Sequence, residues 1–294
     1  MIKVPQLCLG TVQFGLPYGI TNKSGQVSED EVRRILALSV ASGITFLDTA
    51  QAYGKAEKIL GKCWPKDAPR RLISKLSAGS HRNNWEKSLM SSLEKLRASK
   101  LDSFLLHRSQ DLLATEGEDL MYWLESLRDR GVVERVGVSI YNSSELDGLP
   151  LERLQLVQLP LSIYDQRLIQ DGTLNRLQDK GIAVHVRSVF LQGLLLEMAD
   201  SWPNHLSFGF RKHHSCWIEY LQQRGQTRLS GALDFVRSCQ GVEAVLCGVV
   251  SACELAEVLS TWQQLQDPCF DSPQKWAWEN VGDLDPRLWP PRSE

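Results

Sequence analysis

The feature that most restricts how this chain can fold is an alternation. Eight short apolar runs recur from end to end: QLCLGTV (6–12), ITFLD (44–48), LISKL (72–76), SFLLH (103–107), RVGVSI (135–140), LQLVQLPLS (154–162), IAVHVRSVF (182–190) and VEAVLCGVV (242–250). They are rich in Val, Ile and Leu and largely continuous in their apolarity. That is the pattern of parallel strands covered on both faces. Segments of helical period separate them. Strand–helix alternation with a count of eight predicts a (β/α)8 TIM barrel. An open doubly wound sheet is the competing arrangement, but no GxGxxG follows any strand, which weighs against its dinucleotide-binding form. A length of 294 residues suits one barrel of roughly 250 residues with additions.

The helices are expected over 28–43, 55–63, 83–99, 118–130, 143–149, 169–180, 229–240 and 251–265. The first opens on Ser28-Glu29-Asp30-Glu31, a capping box in which Glu31 is placed to reach back to the cap, and it stops at Gly43. Residues 1–265 are read as the barrel, a single domain, and 266–294 as an irregular arm. The arm holds Pro268, Pro273, Pro286, Pro290 and Pro291, and Trp276, Trp278 and Trp289 are expected to pack it on the barrel. Segment 197–228, with Trp202, Phe208, Phe210 and Trp217, is an insertion that reads as either a substrate lid or a subunit contact.

Composition removes several classes of function. Lys plus Arg number 33 against 35 Asp plus Glu, a formal net charge of −2. The basic residues are scattered, so no nucleic-acid footprint is present. No apolar run approaches the roughly 18 residues of a membrane span, and MIKVPQLCLG lacks the apolar core of a signal peptide. The expectation is therefore a cytoplasmic protein. The seven cysteines show no CxxC spacing. Cys8, Cys239, Cys247 and Cys253 lie in or beside apolar stretches and read as small buried hydrophobes in a reducing compartment. His213, His214 and Cys216 have no second ligand pair nearby, so no metal is expected.

In a barrel of this kind, chemistry collects at the carboxyl ends of the strands. The second strand ends in Asp48, with Tyr53 in the loop beyond. The third ends in Lys75 and the fourth in His107. A Lys and a His terminating apolar runs are poor choices for packing alone. A phenol has a pKa near 10 and is a weak acid at neutral pH. A neighbouring ammonium stabilises the phenolate, and a buried ammonium needs a carboxylate, which Asp48 can supply. A neutral histidine can hold a substrate oxygen. Together these four residues make a general acid for a developing alkoxide.

LDTAQAYG, ISKL and LLHR, in this order and spacing, resemble the aldo-keto reductase superfamily. The resemblance covers nearly the whole chain, taking in LGTVQFG, GVSIYN, LVQLPLS and RSVFLQGLLL. It implies reversible reduction of an aldehyde or ketone by hydride from NADP(H) or NAD(H), without a metal. Tyr53 would be the proton donor, Lys75 would lower its pKa, Asp48 would hold Lys75, and His107 would orient the carbonyl. On the cofactor side it implies contacts from Gly10, Thr11, Asp48, Ser139, Gln158, Arg187, Ser188, Phe190, Gln192, Gly193, Gly248, Ser251, Glu254 and Glu257. The FLQGLL stretch would offer backbone N–H groups to the pyrophosphate.

The chain departs from the family pattern at three places. Ser139-Ile140 stands where the family has Ser-Asn. Arg187 stands where an aromatic ring usually stacks on the nicotinamide. Glu254 stands where NADPH-preferring members carry a cation, and Val258 where they carry Asn. An acid at 254 repels a 2′-phosphate and can accept from a ribose 2′-hydroxyl, so NAD(H) is expected to serve at least as well as NADP(H). The GTVQFGLPYGI and RSVFLQGLLL stretches resemble a subgroup linked to bacterial polysaccharide and sugar metabolism, which implies a sugar-like carbonyl. The alternative function is a cofactor-binding regulatory subunit of the same fold with little turnover. A metal-dependent barrel hydrolase would require more clustered acids and histidines than His107 and Asp48 provide.

Overall fold

The structure is a computed structural model, and residues 4–265 and 272–290 are described here. Its strands are β1 (Gln6–Gly10), β2 (Phe46–Asp48), β3 (Arg71–Leu76), β4 (Leu101–Leu106), β5 (Val133–Ser139), β6 (Leu156–Pro160), β7 (Ala183–Arg187) and β8 (Val242–Gly248). They close in chain order into one barrel, every neighbouring pair parallel, with β8 beside β1. The α-helices are α1 (Val12–Gly15), α2 (Glu29–Ala41), α3 (Ala56–Cys63), α4 (Trp85–Leu96), α5 (Gly117–Asp129), α6 (Arg167–Gln170), α7 (Thr173–Asp179), α8 (Phe208–Gln223), α9 (Arg228–Ser238), α10 (Ala252–Gln264) and α11 (Val281–Leu284). The chain is thus a single-domain (β/α)8 barrel, as the alternation predicts.

Two cores follow from parallel strands with two apolar faces. The larger lies between the sheet and the helices; the smaller fills the barrel with Cys8, Phe46, Ile73, Leu105, Leu156, Ala244 and Leu246. Below this plug, toward the amino ends of the strands, charge replaces apolar volume. Asp102 accepts from Arg71 at 2.7 Å and from Arg135 at 2.6 Å. Glu243 accepts from Arg135 at 2.6 Å and lies 2.8 Å from the His185 ring nitrogen. Arg71 also stacks on Phe46, 4.0 Å from the ring centroid. The lower end of the barrel is therefore filled by paired side chains, and the mouth is left for the site. Between helices, Gly61 lets α3 meet α4, since a Cβ there would come within 2.1 Å of the Lys95 carbonyl oxygen.

Several local expectations are corrected. Ser28 does cap α2, accepting from the Glu31 N–H, but Glu31 does not reach back to the cap. Its carboxylate spans instead to α10, accepting from the Ala252 N–H at 2.6 Å, while Arg34 takes its other oxygen at 2.5 Å. The helix expected over 169–180 is broken: Gly172 sits at φ +78° between α6 and α7. The 143–149 stretch forms only a 3-10 turn, Ser143–Leu146, so no α-helix stands between β5 and β6. Strand β7 ends at Arg187, because Ser188 turns left-handed at φ +59°. Cys8 and Cys247 are buried as expected, but Cys239 is half-buried and Cys253 exposed.

The 197–228 insertion contains α8. Its Trp202, Phe210 and Trp217 are buried, whereas Phe208 is 81% exposed. The described part of the tail lies against it: Phe210 stacks on Trp278 with centroids 5.2 Å apart, and Asp283 accepts from the Ser207 N–H at 2.9 Å. The Trp278 N–H also donates to the Tyr164 carbonyl at 2.9 Å. His213 and His214, considered above as metal ligands, are engaged here. His213 meets the Trp276 carbonyl at 3.0 Å; His214 lies between the Tyr164 hydroxyl at 2.7 Å and the Glu197 carbonyl at 2.8 Å. Pro268 and Pro291 lie outside the described residues. No helix among the described residues is long and apolar enough to cross a membrane.

Candidate active site

A cavity of about 650 Å³ opens at the carboxyl ends of the strands and runs from Tyr53 and His107 to the first residues of α10. Beneath its inner end lies a buried ion pair. The Lys75 ammonium is fully buried on β3; it donates to Asp48 Oδ1 at 2.7 Å, to Oδ2 at 2.8 Å and to the Thr49 carbonyl at 3.0 Å. The Gln158 side chain on β6 adds a donor to Asp48 Oδ2 at 2.8 Å. Register brings these residues together. Asp48 and Lys75 lie on adjacent strands, and the Thr49 N–H continues the β2–β3 ladder to the Ile73 carbonyl at 2.8 Å.

Tyr53 is returned over this pair by two tight turns, its N–H donating to the Ala50 carbonyl and its carbonyl accepting from Ala56, each at 3.0 Å. Its ring lies 5.1 Å from the Lys75 Nζ. His107, immediately after β4, meets Tyr53 edge-on with ring centroids 5.8 Å apart. Burial, with the Lys75 charge second, lowers the His107 pKa to about 4, so the imidazole is neutral at pH 7 and one ring nitrogen carries a proton to donate. Burial raises the Tyr53 phenol well above its ordinary value; Asp48 adds to the rise and Arg187 opposes it. This direction is opposite to the one expected. Loss of solvent around the phenol outweighs the nearby cations, and the carboxylate that pairs with Lys75 itself disfavours the phenolate.

The cavity wall contains most of the expected contacts: Gly10, Thr11, Asp48, Ser139, Arg187, Ser188, Phe190, Gln192, Gly193, Gly248, Glu254 and Glu257. Gln158 and Ser251 do not line it. Gln158 lies buried below, and Ser251 caps α10 by accepting from the Glu254 N–H at 3.1 Å. The Glu254 carboxylate folds back to the Val250 N–H at 2.8 Å. With Glu31 on Ala252, the start of α10 is thus occupied by two acids of the chain itself. The loop after β7 takes left-handed backbone at Ser188, Leu191, Gln192 and Gly193, and the Gln192 carbonyl accepts from Thr21 Oγ1 at 3.2 Å.

Tyr18 and Tyr141 also line the mouth, as does Gln13. Tyr18 and Tyr141 sit in loops without periodicity and Gln13 in the one-turn α1, so no sequence pattern marks them, although GVSIYN places Tyr141 two residues past Ser139.

The site fits a nicotinamide dinucleotide on two observations. Gln13, on the cavity wall, has a buried amide oxygen with no hydrogen-bond partner among the described residues, which a carboxamide can satisfy. The cavity also extends from Tyr53 and His107 to a far rim at Glu254, Glu257 and Val258. No group of three or more His, Cys, Asp or Glu placed to hold a metal ion occurs among the described residues.

Fold and site define a class: a (β/α)8 barrel whose mouth holds a phenol and a neutral imidazole over a buried ammonium–carboxylate pair. The model of the aldo/keto reductase family matches residues 6–271, and the chain belongs to that family. The uncharacterized oxidoreductase YcsN of Bacillus subtilis is 29% identical over 179 residues, covering 53% of this chain and 59% of that protein. Norsolorinic acid reductase stcV of Emericella nidulans is 29% identical over 159 residues, 47% of this chain and 40% of that protein. The chain therefore spans about half the length of these curated relatives. Among solved structures, the holo form of an aldo-keto reductase from Bacillus halodurans superposes with a TM-score of 0.75 at 18% identity, covering 98% of this chain and 100% of that one. An aldo-keto reductase from Klebsiella pneumoniae in complex with NADPH gives 0.67 at 20% identity, covering 99% and 93%.

Proposed function

We propose that this protein is an NAD(P)H-dependent oxidoreductase that reversibly reduces an aldehyde or ketone to an alcohol, with Tyr53 as proton donor. The observation behind this reading is the stacking of roles at one end of one cavity: Tyr53 and His107 face the space, and Asp48 and Lys75 lie buried beneath. A nicotinamide, when bound, would supply hydride to the carbonyl carbon or, in reverse, take it from the alcohol carbon. The protein does the rest. Neutral His107 donates a hydrogen bond to the carbonyl oxygen and fixes its direction. Tyr53, kept protonated at neutral pH by burial, donates the second bond and passes its proton to that oxygen as negative charge builds there. The phenolate left behind has Lys75 against its ring and Arg187 as a second cation. Asp48 holds Lys75 in place.

Glu254 and Glu31 at the start of α10 support NAD(H) serving at least as well as NADP(H), because each takes a backbone N–H there and adds negative charge. Titrating the protein with NADH and NADPH tests this; a preference for NADPH above about tenfold, or roughly 1.4 kcal/mol, would overturn it.

Tyr53→Phe is the test of the main reading. Turnover with a panel of simple aldehydes and aldoses is expected to fall by at least about a hundredfold, the usual scale of general-acid catalysis, with cofactor affinity within about threefold of the parent. Retained turnover in the variant refutes the donor role. Absence of turnover in the parent across the panel, with cofactor bound, favours the regulatory subunit instead.

A further inference from the structure

The second cation beside the Tyr53 phenolate also bears on the cofactor. Arg187, at the end of β7, lines the cavity beside Tyr53, His107 and Ser139. The acid nearest the phenol, Asp48, is already committed to Lys75. No carboxylate lies within ion-pair distance of Arg187 among the described residues. The guanidinium is held by other means. Its Nη2 donates to the Ile140 carbonyl at 2.9 Å, and its Nη1 lies 3.4 Å from Ser188 Oγ. Its Cζ is 3.9 Å from the centroid of the Tyr141 ring, and the Cζ of Arg287 is 3.7 Å from the same centroid. Two guanidinium groups that close to one centroid must take opposite faces. The stack is anchored from outside, because Arg287 is itself paired with Asp285 at 2.7 Å and Glu145 at 2.9 Å.

This anchoring decides what Arg187 can present to a ligand. An anion fork needs two parallel N–H groups aimed into the cavity. Here one terminal nitrogen points at a backbone carbonyl, the other lies by a hydroxyl, and one face is covered by Tyr141. What remains toward the cavity is a flat, fixed, unneutralised cation. Its field reaches the catalytic groups, since it is among the charges acting on Tyr53, Lys75 and His107. A ring that delivers hydride to a carbonyl held by Tyr53 and His107 must lie within about 3.5 Å of that carbon. It therefore shares the mouth with Arg187.

We propose that Arg187 makes this protein discriminate between the two redox states of its nicotinamide cofactor, binding the reduced form more tightly than the oxidised one. The reduced ring is neutral and the oxidised ring carries a positive charge, while the rest of the dinucleotide is the same in both. A fixed cation in a partly desolvated mouth opposes only the charged ring. The consequence is release of oxidised cofactor after carbonyl reduction and poor retention of it for alcohol oxidation. This inference rests on the cofactor reading above but not on turnover, and a binding experiment separates the two.

Purified full-length protein is titrated with NADH, NAD+, NADPH and NADP+ without substrate, following tryptophan fluorescence or heat, to give the ratio of oxidised to reduced Kd. For the parent, this ratio is expected to shrink as ionic strength rises from low salt to about 0.5 M, since the discrimination is between charges. In Arg187→Gln it is expected to fall by at least about tenfold, chiefly through tighter binding of the oxidised form. Arg187→Lys, which keeps the charge, is expected to retain most of it. A ratio unchanged in Arg187→Gln, or an equal loss of both forms, overturns the inference in favour of plain packing. A parent that binds the oxidised and reduced forms equally overturns it even if the variants fold poorly. Failure of every form to bind refutes both the inference and the cofactor reading, whereas missing turnover with an intact ratio refutes only the proposed activity.

Discussion

Lys75→Met removes the ammonium at the base of the site while keeping most of the side-chain volume. Lys75 and Asp48 are 0% and 2% exposed, so neither charge has solvent to fall back on. In the variant, Asp48 keeps a side-chain donor only from Gln158, and the Thr49 carbonyl loses its side-chain donor. Breaking a buried pair from one side costs about 3–5 kcal/mol, mostly through the charge left behind. Unfolding entropy near 2.1 cal/mol/K per residue over 294 residues gives about 0.6 kcal/mol per degree, so Tm should fall by roughly 5–8 °C. Asp48→Asn should do comparable harm by stranding the ammonium. The double variant leaves neither charge unpaired and should recover about 2–3 kcal/mol relative to the sum of the singles. The assay is thermal and urea denaturation of all four proteins by circular dichroism, alongside turnover. The double variant should regain stability but not activity. Additive losses, or a Lys75→Met protein within about 1 kcal/mol of the parent, would refute the claim that these groups form one buried charge pair.

His214 and Gly193 give two further tests. His214 is fully buried, and burial lowers its pKa to about 4. The carbonyl of Glu197 can only accept, so Nε2 holds the proton and Nδ1 takes the Tyr164 hydroxyl. A folded pKa below the unfolded value means the unfolded state binds the extra proton first. The contribution is therefore fully present above about pH 6.5 and is lost as pH falls toward 4, reaching about 2 kcal/mol of lost stability at pH 5. Urea midpoints at pH 7 and pH 5 should show this fall in the parent and a smaller one in His214→Gln; equal falls would refute it. Gly193 has φ +94°, and a Cβ there would come within 2.0 Å of Thr21 Oγ1. Gly193→Ala should displace the loop after β7, costing about 1–3 kcal/mol of stability and weakening cofactor binding, with partial rescue by Thr21→Ala. Unchanged cofactor affinity in a folded Gly193→Ala protein would exclude a binding role for that loop.

The barrel was legible because each strand is an apolar run, and the residues proposed as catalytic break those runs where the strands end. Asp48, Lys75 and His107 stand out in this way, and Tyr53 follows five residues behind Asp48. Tyr141 and Tyr18 gave no such signal, since they lie in loops where only the folded path fixes what they face. Glu31 shows a different limit. Its spacing from Ser28 satisfies a local capping rule, but a helix start 221 residues away competes for its carboxylate and wins. The direction of the Tyr53 shift was missed for a similar reason. Spacing places Lys75 near the phenol, but only the folded structure shows how fully the phenol is buried and how close Asp48 stands.

The clasp between Glu31 and Ala252 lies where the ring of strands closes. Strands β1 and β8 pair residues such as Gly10 and Gly248 that are farthest apart along the chain. Closing so long a loop is entropically the most demanding of the pairings, and β1–β8 should zip up after the consecutive ones. An interaction made only when the ring is complete is absent from the folding transition state. It therefore acts on how fast the barrel opens and hardly on how fast it forms. In a chevron analysis, Glu31→Gln should steepen loss of the native state through the unfolding limb alone; a matching drop in the refolding rate would place ring closure early instead. On this view, α2 and α10 together act as the latch that sets the native lifetime of the barrel.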